Sequence, residues 1–427
     1  MINRIITFSV RQRFLVLFAF LGVVLWGGWA VTQTPLDAIP DLSDNQVIVF
    51  TDWAGRSPQV VEDQVTYPLS SNLQGLAGVR AVRAQSALGF SMIYVIFEDG
   101  IDPYWARTRV LERLASVTGQ LPAGVTPTLG PDGTGVGHVY WYTVSSDRHD
   151  LGRLRAIQDF YLKQQLQSVS GVAEVASVGG YVRQYQVDVD PNRLRSYGVT
   201  IREVVQAVRA SNQEVGSNLV EWNDSEYAVR GLGYIQDTGD LEKVVVKTGA
   251  GGVPVYVGQV ATVQMGAAPR RGLLDLNGEG EVVGGIVVMR QGENAKAVID
   301  RVKAKLETLR QGLPEGVRVE TAYDRSDLIE GAVDTLRKAL VEEVLIVSLV
   351  VLLFLFHLRS ALVIVVAIPV GVLISFIAMK HLGITSNLMS LGGVALAIGV
   401  AVFAVGRIVV VVTVAPVAAS IVVALPN

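Results

Sequence analysis

Six methionines, four histidines and no cysteine bound the chemistry open to this 427-residue chain. Without thiolates there are no disulfides and no cysteine metal sites, so a soft cation would have to be held by thioether sulfur or imidazole. A thioether needs no deprotonation and suits a monovalent soft ion such as Cu(I) or Ag(I). The methionines are dispersed. Met92 and Met289 lie in alternating runs and read as core; Met265, four residues before Pro269, is a weak cleft candidate; Met379 sits near the end of an apolar run, and Met389 lies in "SNLMSLGG". His138 and His149 stand alone, and a structural or surface role suits each better than metal binding. There is no Ser/His/Asp or Cys/His set, no phosphate-cradling glycine loop and no HExxH motif. Three groups of charges have plain explanations. Glu98-Asp99 lie on a strand-to-helix turn and read as capping residues. Glu342-Glu343 open an apolar segment, where a helix dipole accounts for them. Asp324, Arg325 and Asp327 read as a solvated linker leading into that segment.

What must position these residues is partly a membrane. Half the chain is hydrophobic, 18% is charged, and the mean hydropathy is +0.40, more apolar than an ordinary globular protein and less than an all-membrane one. A net charge of -3 without a long Lys/Arg run gives no reason to expect nucleic acid. "FLVLFAFLGVVLWGGWAV", Phe14 to Val31, carries no charge, follows Arg4, Arg11 and Arg13, and is long enough to span a bilayer. A cleaved signal peptide would share the basic start but would need a shorter apolar run and a small-residue cleavage site, whereas Trp26 and Trp29 stand where interfacial anchors would. Three further spans are expected near the end, at Val344 to Phe356 (extended upstream through Leu340), Ala361 to Met379 and Leu388 to Gly406. His357-Leu358-Arg359-Ser360 makes a tight basic turn between the first two. By the positive-inside rule the N-terminus and this turn are cytoplasmic, and residues from about 33 to 336 lie outside.

Inside that external region the periodicities from Asn45 to Asp132 read strand, helix, strand, strand, helix, strand, the split βαββαβ order. "GHVYWYTVSS", a helix over 150–168, "VAEVASV", "RQYQVDVD" and a helix over 192–211 supply five of the six elements again. A gapless echo adds to this: "RVLERLASVTGQLPAGV" (109–125) aligns with "RVKAKLETLRQGLPEGV" (301–317), each a helix stopped by Leu-Pro-x-Gly-Val. Two amphipathic helices converging on a common stop signal would look similar. Between these units, Gly216 to Gly272 is rich in glycine and short β-runs and reads as a hairpin-like insertion.

The order of elements resembles the N-terminal half of a resistance-nodulation-division (RND) transporter. The blocks "PLDAIPDLSDNQV" (35–47), "SPQVVEDQVTYPL" (57–69), "FEDGIDPYWARTRVLE" (97–112), "GPDGTGVG" (130–137), "VAEVASVGG" (172–180), "RRGLLDLNGEGE" (270–281), "YDRSDLI" (323–329) and "SNLMSLGG" (386–393) narrow the resemblance to the heavy-metal efflux branch, copper/silver type. It implies an α+β membrane protein, with transmembrane helices plus periplasmic ferredoxin-like βαββαβ subdomains. The expected division is cytoplasmic N-terminus and first transmembrane helix at 1–32, a first porter subdomain at 33–134, a second at 135–215, a docking-type β insertion at 216–272, a return βαβ at 273–336, transmembrane helices at 337–357, 361–379 and 388–406, and an apolar tail at 407–427. The resemblance further implies a homotrimer in the bacterial inner membrane that works with a periplasmic adaptor (membrane fusion) protein and an outer-membrane channel. It implies proton-driven antiport of a metal cation, an activity that is not enzymatic. No resident cofactor is expected, since the metal is cargo.

Met389 matches a metal-relay position by its place in "SNLMSLGG", although packing of a helix explains it as well. The family's relay Asp in the fourth span is expected where this chain has Phe403, which cannot carry a proton, and Arg407 stands where an apolar residue is expected. From Val402 onward the expected blocks stop. We read the Val- and Ala-rich tail as the product of a frameshift or damaged gene, against a natural short protein with a fifth apolar segment. The expectation is therefore a truncated pump subunit, inactive alone; the alternatives are a membrane-anchored periplasmic binding or assembly protein, or a fragment of a Zn/Co/Cd/Ni pump.

Overall fold

The computed structural model describes residues 8, 11–231, 233–249, 251–270, 272–355 and 358–400. Phe403, Arg407 and the tail lie outside the described residues, as does His357. The chain enters through α1 (Arg13–Gln33), which buries only Gly27 and Ala30. It ends where Thr34 turns extended, and the Thr34 hydroxyl donates back to the Ala30 carbonyl at 2.8 Å.

The first layered unit follows: β1 (Gln46–Asp52), α2 (58–73), β2 (Val79–Ala87), β3 (Phe90–Phe97), α3 (Pro103–Val117) and β4 (Thr128–Leu129). The strands are antiparallel in the order β2-β3-β1-β4, which is how a split βαββαβ chain winds. Alternation in β1 turns Val47 and Val49 to one face, as Ile93, Val95 and Phe97 do in β3. Both helices cover that face, α2 through Val61, Val65, Leu69 and Leu73 and α3 through Ala106, Val110, Leu114 and Val117. Cutting one of these buried leucines back to alanine would cost about 2–5 kcal/mol. The cap of α3 is Asp102, whose Oδ1 accepts from the Trp105 N–H at 2.7 Å; Glu98 and Asp99, expected to cap, stand too far upstream.

A second unit begins with β5 (Gly133–Ser146), α4 (151–167) and β6 (Val172–Gly179). Here the structure departs from the expected run of elements. Gly179 and Gly180 both take left-handed backbone, at φ 73° and 59°, and turn the chain out of the sheet. It continues as β7 (Arg183–Val189), α5 (Pro191–Tyr197), α6 (Ile201–Ser211), β8 (Val215–Trp222), β9 (Ser225–Gly231), α7 (Thr238–Glu242), β10 (Val245–Thr248), β11 (Pro254–Tyr256), α8 (Val257–Val260) and β12 (Ala261–Ala267). β7, expected to be the third strand of the second unit, instead pairs along its whole length with β12. Leu194, Val199, Val204, Val255 and Val260 form a small core of their own around it. The hairpin expected in the insertion is β8–β9, closed by Asn223 and Asp224, both left-handed as a tight primed turn requires.

The chain then returns to the second sheet as β13 (Val283–Arg290), α9 (Ala295–Arg310) and β14 (Val317–Asp324). The order β14-β5-β13-β6 repeats the winding of the first sheet from two separated stretches of chain. The echo noticed in the sequence falls on α3 and α9, the second helix of each unit. Val110 and Val302, Leu114 and Leu306, and Val117 and Leu309 are buried at matching positions, and Gly124 and Gly316 take φ 80° and 83°.

Each unit's first helix contains one widened π turn, Glu62–Thr66 in α2 and Gln158–Leu162 in α4. A fully buried polar side chain leaves each: the Thr66 hydroxyl donates to Ser91 Oγ at 2.8 Å, and Gln158 accepts from the Tyr142 hydroxyl at 2.9 Å. The last described elements are α10 (Ser326–Leu355), α11 (Leu358–Leu382) and α12 (388–400). Among the described residues α1 is the one helix long and apolar enough, by length and composition, to cross a membrane; Ile368–Leu382 and Leu388–Val400 are shorter apolar helices. Ala30, Leu336, Val372, Phe376, Leu391, Val394 and Ile398 join α1, α10, α11 and α12 in one apolar cluster.

Candidate functional site at the junction of sheets and spans

The residues that could do chemistry converge least where the sequence placed them and most at a junction it described as a linker. After α1, residues 35–38 run extended and are held on two sides. Leu36 pairs with Ser386 as an isolated parallel bridge; the Asp37 N–H donates to the Ser386 carbonyl, the Ser386 N–H to Pro35 and the Leu388 N–H to Ala38. On the other side the Ala295 N–H, at the start of α9, donates to the Leu36 carbonyl at 3.0 Å. The entry to α12 and the first turn of α9 are thus tied to the exit of α1.

Arg325 completes the junction. Expected in a solvated linker, it is only 5% exposed, and its Nη1 stands 3.3 Å from Oδ1 of Asp37, itself 9% exposed. Its Nη2 donates to the His138 carbonyl at 3.0 Å, and its backbone N–H to Val139, so the same residue reaches β5. The reason for its burial is geometric: α10 continues directly from β14, so Arg325 lies beneath the second sheet with no room for a flexible linker. Asp324, one residue earlier, is bonded by Lys303 Nζ and by the Ser326 hydroxyl and N–H. Burial alone would raise the Asp324 carboxyl, but these donors outweigh it and hold it below the usual carboxylate range. Arg325 Nε and Ser386 Oγ are buried without a partner among the described residues.

Met389 stands in the first turn of α12, which Asn387 caps by accepting from the N–H groups of Met389 and Ser390, both at 3.0 Å. Its side chain is 75% exposed and makes no core contact. It is therefore free to act as one thioether ligand, and a closed soft-cation site needs further donors. Across α12 from it, Leu388, Leu391, Gly392 and Ala395 face Leu328, Gly331, Ala332 and Thr335 of α10 over a groove of about 320 Å³. Deeper in the same pair of helices, Glu343 turns toward Gly399: its Oε1 lies 3.3 Å from where a Cβ on Gly399 would stand, and its Oε2 is buried without a partner among the described residues. Glu342 and Glu343 were expected at a helix start. α10 begins at Ser326, so they sit well inside it and the dipole explanation fails.

The remaining candidates scatter. Met289 and Met379 are buried as packing residues, and Met265 is exposed on β12. Met92 was read as core, but it lies on the face of the first sheet away from the helices, where its sulfur accepts from the Tyr94 hydroxyl. His138 contributes its backbone carbonyl, and a ring nitrogen of His149 lies 3.3 Å from the Glu315 carbonyl. Among the described residues no group of three or more His, Asp or Glu side chains could hold a metal ion. Sequence reasoning missed the pairing of Asp37 with Arg325, although both stand in blocks that carried the family resemblance, "PLDAIPD" and "YDRSDLI".

Two layered sheets are joined by a buried junction to a cluster of apolar helices, one of which is long and apolar enough to cross a membrane. The profile of the AcrB/AcrD/AcrF family matches residues 5–420, and the chain belongs to that family. Among curated relatives it is 53% identical over 401 residues to the cation efflux system protein CusA of Escherichia coli (strain K12), covering 93% of this chain and 38% of that protein. It is 52% identical to the putative cation efflux system protein SilA of Salmonella typhimurium, over the same shares, and 38% identical to the cobalt-zinc-cadmium resistance protein CzcA of Cupriavidus metallidurans. The chain thus spans 38% of the length of the curated relatives first matched. A crystal structure of a heavy metal efflux pump superposes with a TM-score of 0.80 at 34% identity, covering 90% of this chain and 39% of that one.

Proposed function

We propose that the chain is the N-terminal portion of an inner-membrane RND subunit that exports Cu(I) or Ag(I) against protons. Its two sheets would stand in the periplasm, and its assembly would be a homotrimer working with a periplasmic adaptor and an outer-membrane channel. The observation that carries the choice of cargo is the gradient of similarity: 53% identity to a cation efflux protein against 38% to a cobalt-zinc-cadmium resistance protein. The exposed thioether of Met389 at the mouth of α12 agrees in chemistry, because sulfur without a carboxylate partner prefers a soft monovalent ion. The junction of Asp37, Arg325 and Ser386 would carry motion between spans and sheets.

Equilibrium dialysis of the purified chain against Ag(I), Zn(II), Co(II) and Cd(II) tests the cargo. Silver should bind in preference to the divalent ions, and Met389→Leu, which keeps the volume and removes the sulfur, should weaken silver alone. Equal or tighter binding of zinc or cobalt, unaffected by the substitution, would move the assignment to the divalent-metal pumps.

A further inference from the structure

The outer ends of α1 and α11 pack side by side, and their contact is close: a Cβ on Gly27 would stand 2.5 Å from Cβ of Leu373, so a glycine is required there. This approach brings two half-exposed tryptophans of α1 against the last two basic residues of α11. Lys380 Nζ stands 4.7 Å from the centroid of the Trp29 ring, and the His381 ring meets Trp26 edge-on at 5.4 Å. Each indole thus serves as a platform for one basic side chain.

Four donors gather here: Lys380 Nζ, the His381 imidazole and the indole N–H groups of Trp26 and Trp29. None has a hydrogen-bonding or ionic partner among the described residues, and no carboxylate is close in sequence. Residues 14–33 contain no ionisable side chain, α11 contains no acid, and the next acid along the chain, Asp37, is committed to Arg325. Elsewhere in the protein exposed basic residues commonly find carboxylates, as Arg318 finds Asp147 and Arg148 finds Glu315. A lysine at a helix C-terminus gains something from the dipole alone, but that does not account for two neighbouring basic groups docked on two indoles. With α1 and α11 inserted, these donors lie at the level where hydrocarbon gives way to headgroups. The acceptor available at that level, with the right charge and with oxygens to spare, is a phosphodiester.

We propose that this end of α1 and α11 binds the phosphate of an anionic phospholipid, with Lys380 supplying the charge, and the His381 imidazole and the two indoles supplying donors and an apolar seat for the glycerol backbone. This goes beyond the transport reading and depends only on insertion of the two helices. Each positive charge near a membrane surface is worth about five-fold in binding of anionic lipid.

The test is native mass spectrometry of the full chain released from nanodiscs of equimolar phosphatidylglycerol and phosphatidylcholine. The wild-type chain should retain phosphatidylglycerol in preference, Lys380→Arg should keep that preference, and the Lys380→Gln/His381→Gln pair should abolish it. Trp26→Phe with Trp29→Phe removes both N–H donors and keeps the rings, so it should weaken both lipids together and leave the preference standing. A preference unchanged in the double glutamine variant overturns the proposal. So does displacement of phosphatidylglycerol by millimolar inorganic phosphate, which would mark a site for the free ion.

Discussion

Replacing Arg325 with methionine, which keeps most of its length and removes its charge, should destabilise the junction between sheets and spans by about 3–5 kcal/mol. The magnitude follows from what remains. Asp37 would stay 9% exposed, with the Ala38 N–H at 2.6 Å as its hydrogen-bond partner among the described residues. The His138 carbonyl would lose the Nη2 donor that reaches it at 3.0 Å. The 3.3 Å separation of the ion pair is long for a charge-assisted bond and places the expected loss nearer 3 than 5 kcal/mol. Asp37→Asn keeps an oxygen for Ala38 and removes the charge, leaving Arg325 buried beside an amide, at about 2–3 kcal/mol. Combining the two removes both charges, so the double variant should recover 1–2 kcal/mol of the summed losses, at about the range seen for contacting pairs. Urea unfolding of the full chain in detergent can be followed through Trp141, which packs 5.4 Å from Tyr323 on the strand leading into Arg325. The midpoint should fall least for Asp37→Asn, further for Arg325→Met and furthest for the double variant, with unchanged slope. Single variants each costing under about 1 kcal/mol, or strictly additive losses, would refute the argument that this pair is buried and coupled.

Asp324 predicts an acid limit for the same region. Its carboxyl is held low by Lys303 and Ser326, so its contribution is present above the ordinary carboxylate value and is lost as pH falls through the folded one. The acid limb of a stability profile should flatten in Asp324→Asn, while neutral stability drops; a variant with the same acid limb as wild type would count against it. Gln158→Leu should cost about 1–3 kcal/mol, because it strands the Tyr142 hydroxyl, which burial already pushes far up from its ordinary value. Thermal unfolding compared with Gln158→Glu would check this, since the glutamate keeps an acceptor for Tyr142; equal melting of leucine variant and wild type would show the hydrogen bond to be idle.

Elements were legible in the sequence where local pattern and packing agree. Strict alternation in "NQVIVFTD" and the 3.6-residue stripe of Val110, Leu114 and Val117 mark buried faces without reference to any partner. The echo between residues 109–125 and 301–317 located equivalent helices in the two units for the same reason, since Pro and left-handed Gly punctuate both. What could not be read was membership. "RQYQVDVD" alternates as well as any strand, and nothing local says that Gly179-Gly180 throws it out of one sheet to pair with residues 261–267. The site was opaque for a related reason. Asp37 and Arg325 lie far apart in sequence, and a charged residue beside Asp324 and Asp327 looks solvated until the chain is folded over it. Glu342 and Glu343 misled through a boundary: the helix begins in the polar residues upstream, so a pair that looked terminal is interior.

The second sheet closes its ladder at Gly179 and reopens it at Val283, and those two residues are direct partners across β6 and β13. Everything between them leaves and re-enters through adjacent positions on neighbouring antiparallel strands. The sheet is therefore whole without residues 180–282, and a two-residue turn at that point would restore an uninterrupted βαββαβ chain. The unit built on β7 and β12 is in this sense a guest: it joins its host through two chain segments, one leaving and one returning, and has its own apolar interior. Its sequence is free to drift, lengthen or be exchanged while the host that grips the spans keeps its register.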